Sequence, residues 1–464
     1  MTEPRRLRGH NAAATCCIAS TVRPGLLVTA AEDGCVCLYD LRCKDVLFAM
    51  DLGNGNAISS LCFKPGSEDV VYVSAGNELK LITKSVKVLS VCYPLTLFLP
   101  LRTCPSLLRK VTGRTKKEED SEGGFEKEGG KLERIVKENS GPRLAIEEVK
   151  EKRSWKKKDY SENGFEEKGV SSAAEKDKLK PGQKKTWELL IVIGSTFYNY
   201  VISTLQIACH SKSSFLAAAD DAGDVKIIDV HQRCLYKTLR AGHKSICSSV
   251  QFLPWRSWEV ITGGLDSKLV MWDFSKGRPN KIMDFGSEGD AGQCCNPAFV
   301  HAIIVPDLEI VDKVGKICVV ARGDGVVNII NIESELAALK SKISGKSKHG
   351  TKSTSKDSQP QDLSDRKVHL DYSVGGHVAA VSSVTFSMFG EKGKFIISGG
   401  NDKSVKVWDW SKSYDAGQTS EGNDLLRSNI SLRKKVNWLC TTPSDSENLV
   451  VCDTSKVVKV YTVG

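Results

Sequence analysis

The chain has 464 residues, 40% hydrophobic and 26% charged, the balance of a globular protein able to bury one large core or two ordinary ones. Its net charge of +10 is modest for this length and gathers in segments of loop composition, which makes it weak evidence for nucleic-acid binding. Sixteen cysteines lie scattered without a CxxC or a Cys/His zinc spacing, and the arginines of residues 1–11 have no apolar stretch behind them. Free thiols in a nuclear or cytoplasmic setting are expected, with no metal centre and no secretory leader.

Taken in order, the chain reads as short strands in repeated units. The first opens at Gly9-His10, alternates through 14–19, and continues as strands at 26–30 and 36–40 around the turn Glu32-Asp33-Gly34. It closes on Tyr39-Asp40. The second, at 57–82, turns at Gly76-Asn77 and lacks both the Gly-His and the aromatic-Asp close. From about 84 to 204 the pattern stops. Residues 86–101 are apolar, but Lys87, Pro94 and Pro100 interrupt a run already shorter than the roughly 20 residues a membrane helix needs. Residues 114–185 mix Lys, Arg, Glu, Gly and Ser too densely to bury the apolar surface that would offset ordering entropy, so disorder is expected. SEGGFEK at 121–127 and SENGFEE at 161–167 form a local duplication there, and the apolar run 189–202 reads as a stray strand or helix.

The third unit returns at 205–210, 215–219 and 225–230, turning at Asp220-Asp221-Ala222-Gly223. The fourth has Gly242-His243, strands at 247–252, 260–264 and 269–273, and the turn Leu265-Asp266-Ser267. The fifth spans 299–332 with the turn Gly323-Asp324-Gly325, and a polar segment, 340–365, follows it. The sixth is the best formed: Gly376-His377, alternation through 378–386, a strand at 395–398, the turn Gly399-Gly400-Asn401-Asp402, and 405–409 ending in Trp408-Asp409. Glycine and asparagine there tolerate the positive φ of hairpin turns. The seventh runs from 435 to 461 with three visible strands.

A Gly-His, an Asp-bearing turn and a closing Trp-Asp in about 40 residues mark a propeller blade. Asp33 to Gly76 is 43 residues and Ala222 to Asp266 is 44, so the longer gaps hold loop insertions. The expected fold is an all-β, seven-bladed propeller closed by an N-terminal strand within 4–9, which pairs with the last unit and removes both sheet edges. Blades 1 and 2 are expected in 4–85, a largely disordered insert in 86–204, blades 3 to 5 in 205–335, a polar loop in 336–370, and blades 6 and 7 in 371–464.

His243, Thr262, Asp266 and Trp272 recur as His377, Ser398, Asp402 and Trp408. His, Asp and a hydroxyl invite a catalytic-triad reading. A hydrolase needs one such set, whereas here it comes once per well-formed blade, as a buried chain pinning the turn to the strands would. The basic stretches 155–158 and 340–356 lack interleaved aromatics and read as solvated loops in preference to nucleic-acid sites or nuclear-import signals. No phosphate loop, nucleophile elbow or paired carboxylates occur, so no enzyme activity, cofactor or catalytic residue is assigned.

With these motifs the chain resembles the WD40-repeat family over all seven units, most specifically in blades four and six. Within it, FLAAADDAGDVKIID at 215–229, SICSSVQF at 245–252, Asn296-Pro297-Ala298 and KKVNWL at 434–439 resemble the group of WD repeat-containing protein 53. That resemblance implies a substrate receptor of a cullin-4 RING ubiquitin ligase. Such receptors carry a box of small and apolar residues, an acidic residue and then Trp-Asp-x-Arg, whose arginine docks on the ligase adaptor. Residues 27–42 (LVTAAEDGCVCLYDLR) match at Asp40 and Arg42, with Tyr39 in place of Trp; blades four and six carry Ser275 and Ser411 at the arginine position. The implied protein is a propeller scaffold, monomeric within a larger complex, binding the adaptor and an unknown substrate, with no membrane and no direct nucleic-acid contact. A scaffold in a chromatin or RNA-processing complex is the other reading. Members of the group have a short link where this chain has 86–204, which is either a genuine insertion or translated intronic sequence.

Overall fold

In the computed structural model, residues 3–43, 46–52, 55–83, 93–94, 188–190, 204–287, 295–344, 367–410 and 425–463 are described. They form seven antiparallel sheets arranged as the blades of a ring. Blade 6 shows the plan: an inner strand Val381–Phe386, then Phe395–Gly400, Ser404–Asp409 and an outer strand Leu426–Ser431. Its second and third strands are buried at every residue, while the outer strand alternates exposed residues with half-buried ones and one buried residue, Ile430. Central strands lie between two neighbouring blades, so both faces must be apolar or internally satisfied. The sequence accordingly runs FIISGG and SVKVWD where a one-faced sheet would alternate.

The apolar interior is neither one core nor two. It consists of seven clusters, each between successive blades. The cluster joining blades 4 and 5 packs Ile261, Leu269 and Met271 on Val300, Ile303 and Val320. The one joining blades 7 and 1 packs Val450, Cys452 and Val460 on Cys17, Leu27 and Tyr39. Each blade is therefore half of two cores, and an open ring would expose two half-cores to water.

Polar side chains stitch the inner strands together. Every inner strand has an irregular register at its second residue, namely Thr15, Ser59, Leu205, Ser248, His301, Ser382 and Asn437. In five blades that residue donates to the first carbonyl of the next inner strand. Thr15 Oγ1 donates to Ile58 O at 2.5 Å, Ser59 Oγ to Thr204 O at 2.5 Å, and Ser382 Oγ to Val436 O at 2.6 Å. Ser248 Oγ donates to Val300 O, and Asn437 Nδ2 closes the circle on Ala14 O at 2.9 Å. In blades 2, 4 and 6 the following serine adds a second stitch: Ser60, Ser249 and Ser383 accept from the amides of Ile207, Ile303 and Leu439. The bulge turns a side chain toward the neighbour without breaking the blade's own ladder.

The closing strand is Arg5–Leu7, paired with Val458–Tyr461 so that Leu7 faces Val458. Three expectations shift. The segment 86–204 contributes two short edge strands to blade 2: Glu188–Leu190 pairs with Leu81–Thr83, and Tyr93–Pro94 with Glu78–Leu79. Its expected disorder, the duplication and the 155–158 run lie outside the described residues. The segment 336–370, read as a polar loop, holds most of a helix, Ile332–Ser344, and ends in Val368–Leu370, the outer strand of blade 5. Asn331 Oδ1 caps that helix, accepting from Glu333 N at 3.0 Å and Ser334 N at 3.2 Å, ahead of a run rich in Glu, Leu, Ala and Lys. In blade 6 the positive φ falls on Lys403 (62°), not on Gly399, Gly400 or Asn401, and in blade 4 on Ser267 (60°).

Leu7 is 2% exposed at the closure. Leu7→Ala is expected to lower stability by about 2–5 kcal/mol, read as an earlier urea midpoint. Arg6→Ala, exposed on the same strand, is expected to change it by less than about 0.5 kcal/mol.

Candidate functional site

The recurring polar residues assemble on the rim formed by the inter-blade loops and the hairpin turns. In blade 4, His243 Nδ1 is 2.9 Å from Asp266 Oδ1 and Nε2 is 2.8 Å from Thr262 Oγ1, which accepts from Trp272 Nε1 at 2.9 Å. In blade 6 the corresponding distances for His377, Asp402, Ser398 and Trp408 are each 2.9 Å. Indole can only donate and carboxylate only accept, which sets every proton. The hydroxyl accepts from Trp and donates to Nε2, and Nδ1–H donates to Asp. The order matches a hydrolytic triad, yet Ser398 and Thr262 are 0% exposed and each lies under an indole N–H. No substrate carbonyl could reach them.

Glycines make room for this chain. A Cβ on Gly242 would lie 2.1 Å from the Trp272 ring, and one on Gly264 would lie 2.5 Å from His243 Nδ1. A Cβ on Gly263 or Gly399 would strike Val300 or Val436 of the next blade. The paired glycines thus serve close approach, one to the neighbouring blade and one to the His-Asp pair.

Burial pulls the His377 pKa down despite Asp402 opposite, so its neutral form is the folded one. Burial alone would raise Asp402, but hydrogen bonds from His377, Ser404 and the Val378 amide prevail and hold it at about 2.

Other blades reach the same end differently, and here sequence reading missed the residues. Blade 1 has a partial copy, with His10 Nε2 2.6 Å from Thr29 Oγ1 and Asp33 accepting from the Asn11 and Cys35 amides. Tyr39 stands where Trp closes the chain in blades 4 and 6, and its hydroxyl donates to Arg8 O at 3.2 Å. In blades 3 and 7 an aspartate stands at the glycine position. Asp220 accepts from the Ala222 and Asp224 amides and pairs with Lys226, while Asp453 accepts from Ser455 and pairs with Lys459. Blade 5 uses Arg322 on Asp324, with Asn328 alongside. The available signal was an Asp ending one strand and a Lys six residues on.

Asp40 and Arg42 sit at the opposite rim, where third strands end. Arg42 Nε and Nη2 donate to the two Asp40 oxygens at 2.9 and 2.6 Å, and the Arg42 amide donates to Oδ1 at 2.9 Å. The Arg42 hydrogen bond holds the Asp40 pKa below its usual value. Arg5 of the closing strand donates to Leu41 O and Cys43 O and pairs with Glu447 of blade 7 at 2.7 Å. The turn carrying Arg42 is thereby clamped where the ring closes, and the Arg42 side chain is 79% exposed. In blade 4, Ser275 at this position turns its hydroxyl back on Asp273 at 2.5 Å. Ser411 lies outside the described residues.

The family model described as "WD domain, G-beta repeat" matches residues 1–40, 233–273 and 369–409. The chain carries WD40 repeats. Each match takes in outer-strand residues of one blade and ends at the third strand of the next, so the repeats interlock. The chain is similar to the WD repeat-containing protein 53 homolog of Dictyostelium discoideum, 23% identical over 283 residues, covering 56% of this chain and 67% of that protein. Among solved structures it is similar to the WD40 beta propeller domain of Doa1, with a TM-score of 0.52 and 11% identity, covering 100% of this chain and 97% of that one. That likeness establishes the fold alone. The seven-bladed WD40 propeller is a fold suited to protein–protein scaffolding and generally non-catalytic.

Ser398→Ala leaves the Trp408 donor and His377 without their shared partner and is expected to cost about 1–3 kcal/mol in urea unfolding. The lowered His377 pKa gives a contribution complete above its unfolded value near 6.5 and lost as pH falls below it. Asp402 adds a second contribution, present above about 4 and lost toward about 2. Scanning calorimetry is expected to show Tm falling from pH 7 to pH 5, with a shallower slope for His377→Asn.

Proposed function

We propose that this propeller is a substrate receptor of a cullin-4 RING ubiquitin ligase and docks on the ligase adaptor through Arg42, oriented by Asp40. One observation carries the reading: a guanidinium 79% exposed, gripped by a carboxylate at two points, on a turn clamped by Arg5. A pre-oriented arginine loses little entropy on docking, and its planar fork keeps its charge on partial desolvation. The sequence of residues 27–42, ending in Tyr39-Asp40-Leu41-Arg42, supports the same role. The receptor acts as a single propeller in a larger nuclear or cytoplasmic assembly, its substrate bound elsewhere on the ring.

Affinity capture of the tagged chain from cells, beside its Arg42→Ala variant, tests this. Arg42 is exposed, so the variant is expected to melt at the parent's temperature and to lose adaptor and cullin together. Undiminished adaptor recovery would reject the contact. Absence of the adaptor from both captures would reject the role, and chromatin or RNA-processing proteins in its place would favour the other scaffold.

A further inference from the structure

The rim that carries the turn networks is electrically uneven. Over blades 2 and 3 its cations are paired with carboxylates, Glu78 with Lys80 and Asp224 with Arg240. Over blades 6 and 7 and the entry to blade 1 such pairing stops. Lys403, Arg433, Lys434, Lys435, Lys456 and Arg8 are all exposed, and none has a carboxylate within ion-pair distance among the described residues.

Backbone bonds make these cations neighbours. Leu432 N donates to Lys403 O at 2.7 Å, joining the blade 6 turn to the Arg433-Lys434-Lys435 loop. Thr454 N donates to Lys435 O at 3.1 Å, bringing in the turn that carries Lys456. Leu7 pairs with Val458, which sets Arg8 beside that same turn. In the blade 6 and blade 7 turns the carboxylates face inward, Asp402 held by His377 and Asp453 0% exposed against Lys459, while Asp371, bonded to Ser373, and the exposed Glu32, bonded through its amide to Ala13 O, mark the two ends of the sector. Val378, 56% exposed, borders Lys403 through its amide bond to Asp402.

We propose that this sector is a docking surface for a Glu/Asp-rich peptide segment of a partner protein, with an apolar residue of that segment resting on Val378. Six cations held close, none of them ion-paired among the described residues, raise the local potential and favour an anionic partner. Four of the six are lysines, hydrated point charges on flexible stems, which suit a string of carboxylates better than one phosphate needing a rigid fork. Nucleic acid fits less well. Single strands are held by successive exposed aromatics, and among the described residues only Tyr372 is exposed in the loops feeding this sector. The carboxylates over the remaining blades would also repel a longer polyanion. The surface lies on the rim opposite Arg42, so its occupancy does not depend on the adaptor contact.

The test is fluorescence anisotropy with the full chain and a labelled peptide of alternating Glu and Asp around one Leu, beside a labelled single-stranded RNA of similar charge. The triple variant Arg433→Glu, Lys434→Glu, Lys435→Glu alters only exposed side chains, and its circular dichroism and Tm should match the parent. The parent is expected to bind the peptide, more weakly as ionic strength rises, and the triple variant to lose about tenfold or more in affinity. Val378→Ser should weaken binding without changing its salt dependence, and Arg42→Ala should leave it unchanged. Peptide affinity unaltered in the triple variant would overturn the proposal, as would no peptide binding by the parent. So would RNA binding through the same residues that the peptide cannot displace.

Discussion

The molecule depends on one contact repeated around the ring, a side-chain donor at an inner-strand bulge reaching the first carbonyl of the next inner strand. A propeller has no single core, and its innermost backbone groups face a narrow channel where sheet partners are absent. Thr15, Ser59, Ser248, Ser382 and Asn437 supply those partners and fix the depth at which each blade meets the next. That depth registers the seven apolar clusters behind them. Blade 3 places Leu205 at the bulge and uses its neighbour instead, Gln206 Oε1 accepting from Ser249 Oγ and the Val250 amide. The same junction is made from the other side.

A second layer of polar chemistry holds the hairpin turns, and its variety is informative. The turn between second and third strands must be held, and any buried group that holds it needs a full set of partners. His-Asp-hydroxyl-Trp meets this in blades 4 and 6, Asp-Lys in blades 3 and 7, and Arg-Asp in blade 5. These solutions differ in charge and reach but occupy one place in the fold. The glycine pairs of blades 4 and 6 belong to this economy of space, since a histidine ring fills the position where Asp220 or Asp453 stands elsewhere.

Function, on this reading, divides between the two rims. One presents an arginine that the ring's own closure makes rigid; the other presents lysines and arginines on loops that the turn networks hold in place. Neither surface needs a moving part. Both draw on bonds made for stability, which is why each lies beside the junction of blades 7 and 1, where Arg5, Glu447, Leu7 and Val458 meet.

The sequence alone determined the number of blades, the closing strand and the networks of blades 4 and 6, because these rest on local patterns: strand-length apolar runs, a repeat of about 40 residues and side chains of unmistakable type. It also placed Asp40 and Arg42 at the end of a strand. Tertiary structure decided the rest. Lys226 and Lys459 look like surface lysines until the fold folds them over Asp220 and Asp453. Glu188–Leu190 reads as a stray segment until it meets Leu81–Thr83 across a hundred residues. The serine pairs at 59–60, 248–249 and 382–383 look like ordinary polar strand positions until the next blade supplies their partners. Arg433, Lys434 and Lys435 become one surface with Lys403, Lys456 and Arg8 only when three blades converge. The two lysines lie only six residues from their aspartates; in the other cases the deciding partner is distant in the chain, and a one-dimensional pattern carries no information about which distant carbonyl, carboxylate or cation will be near.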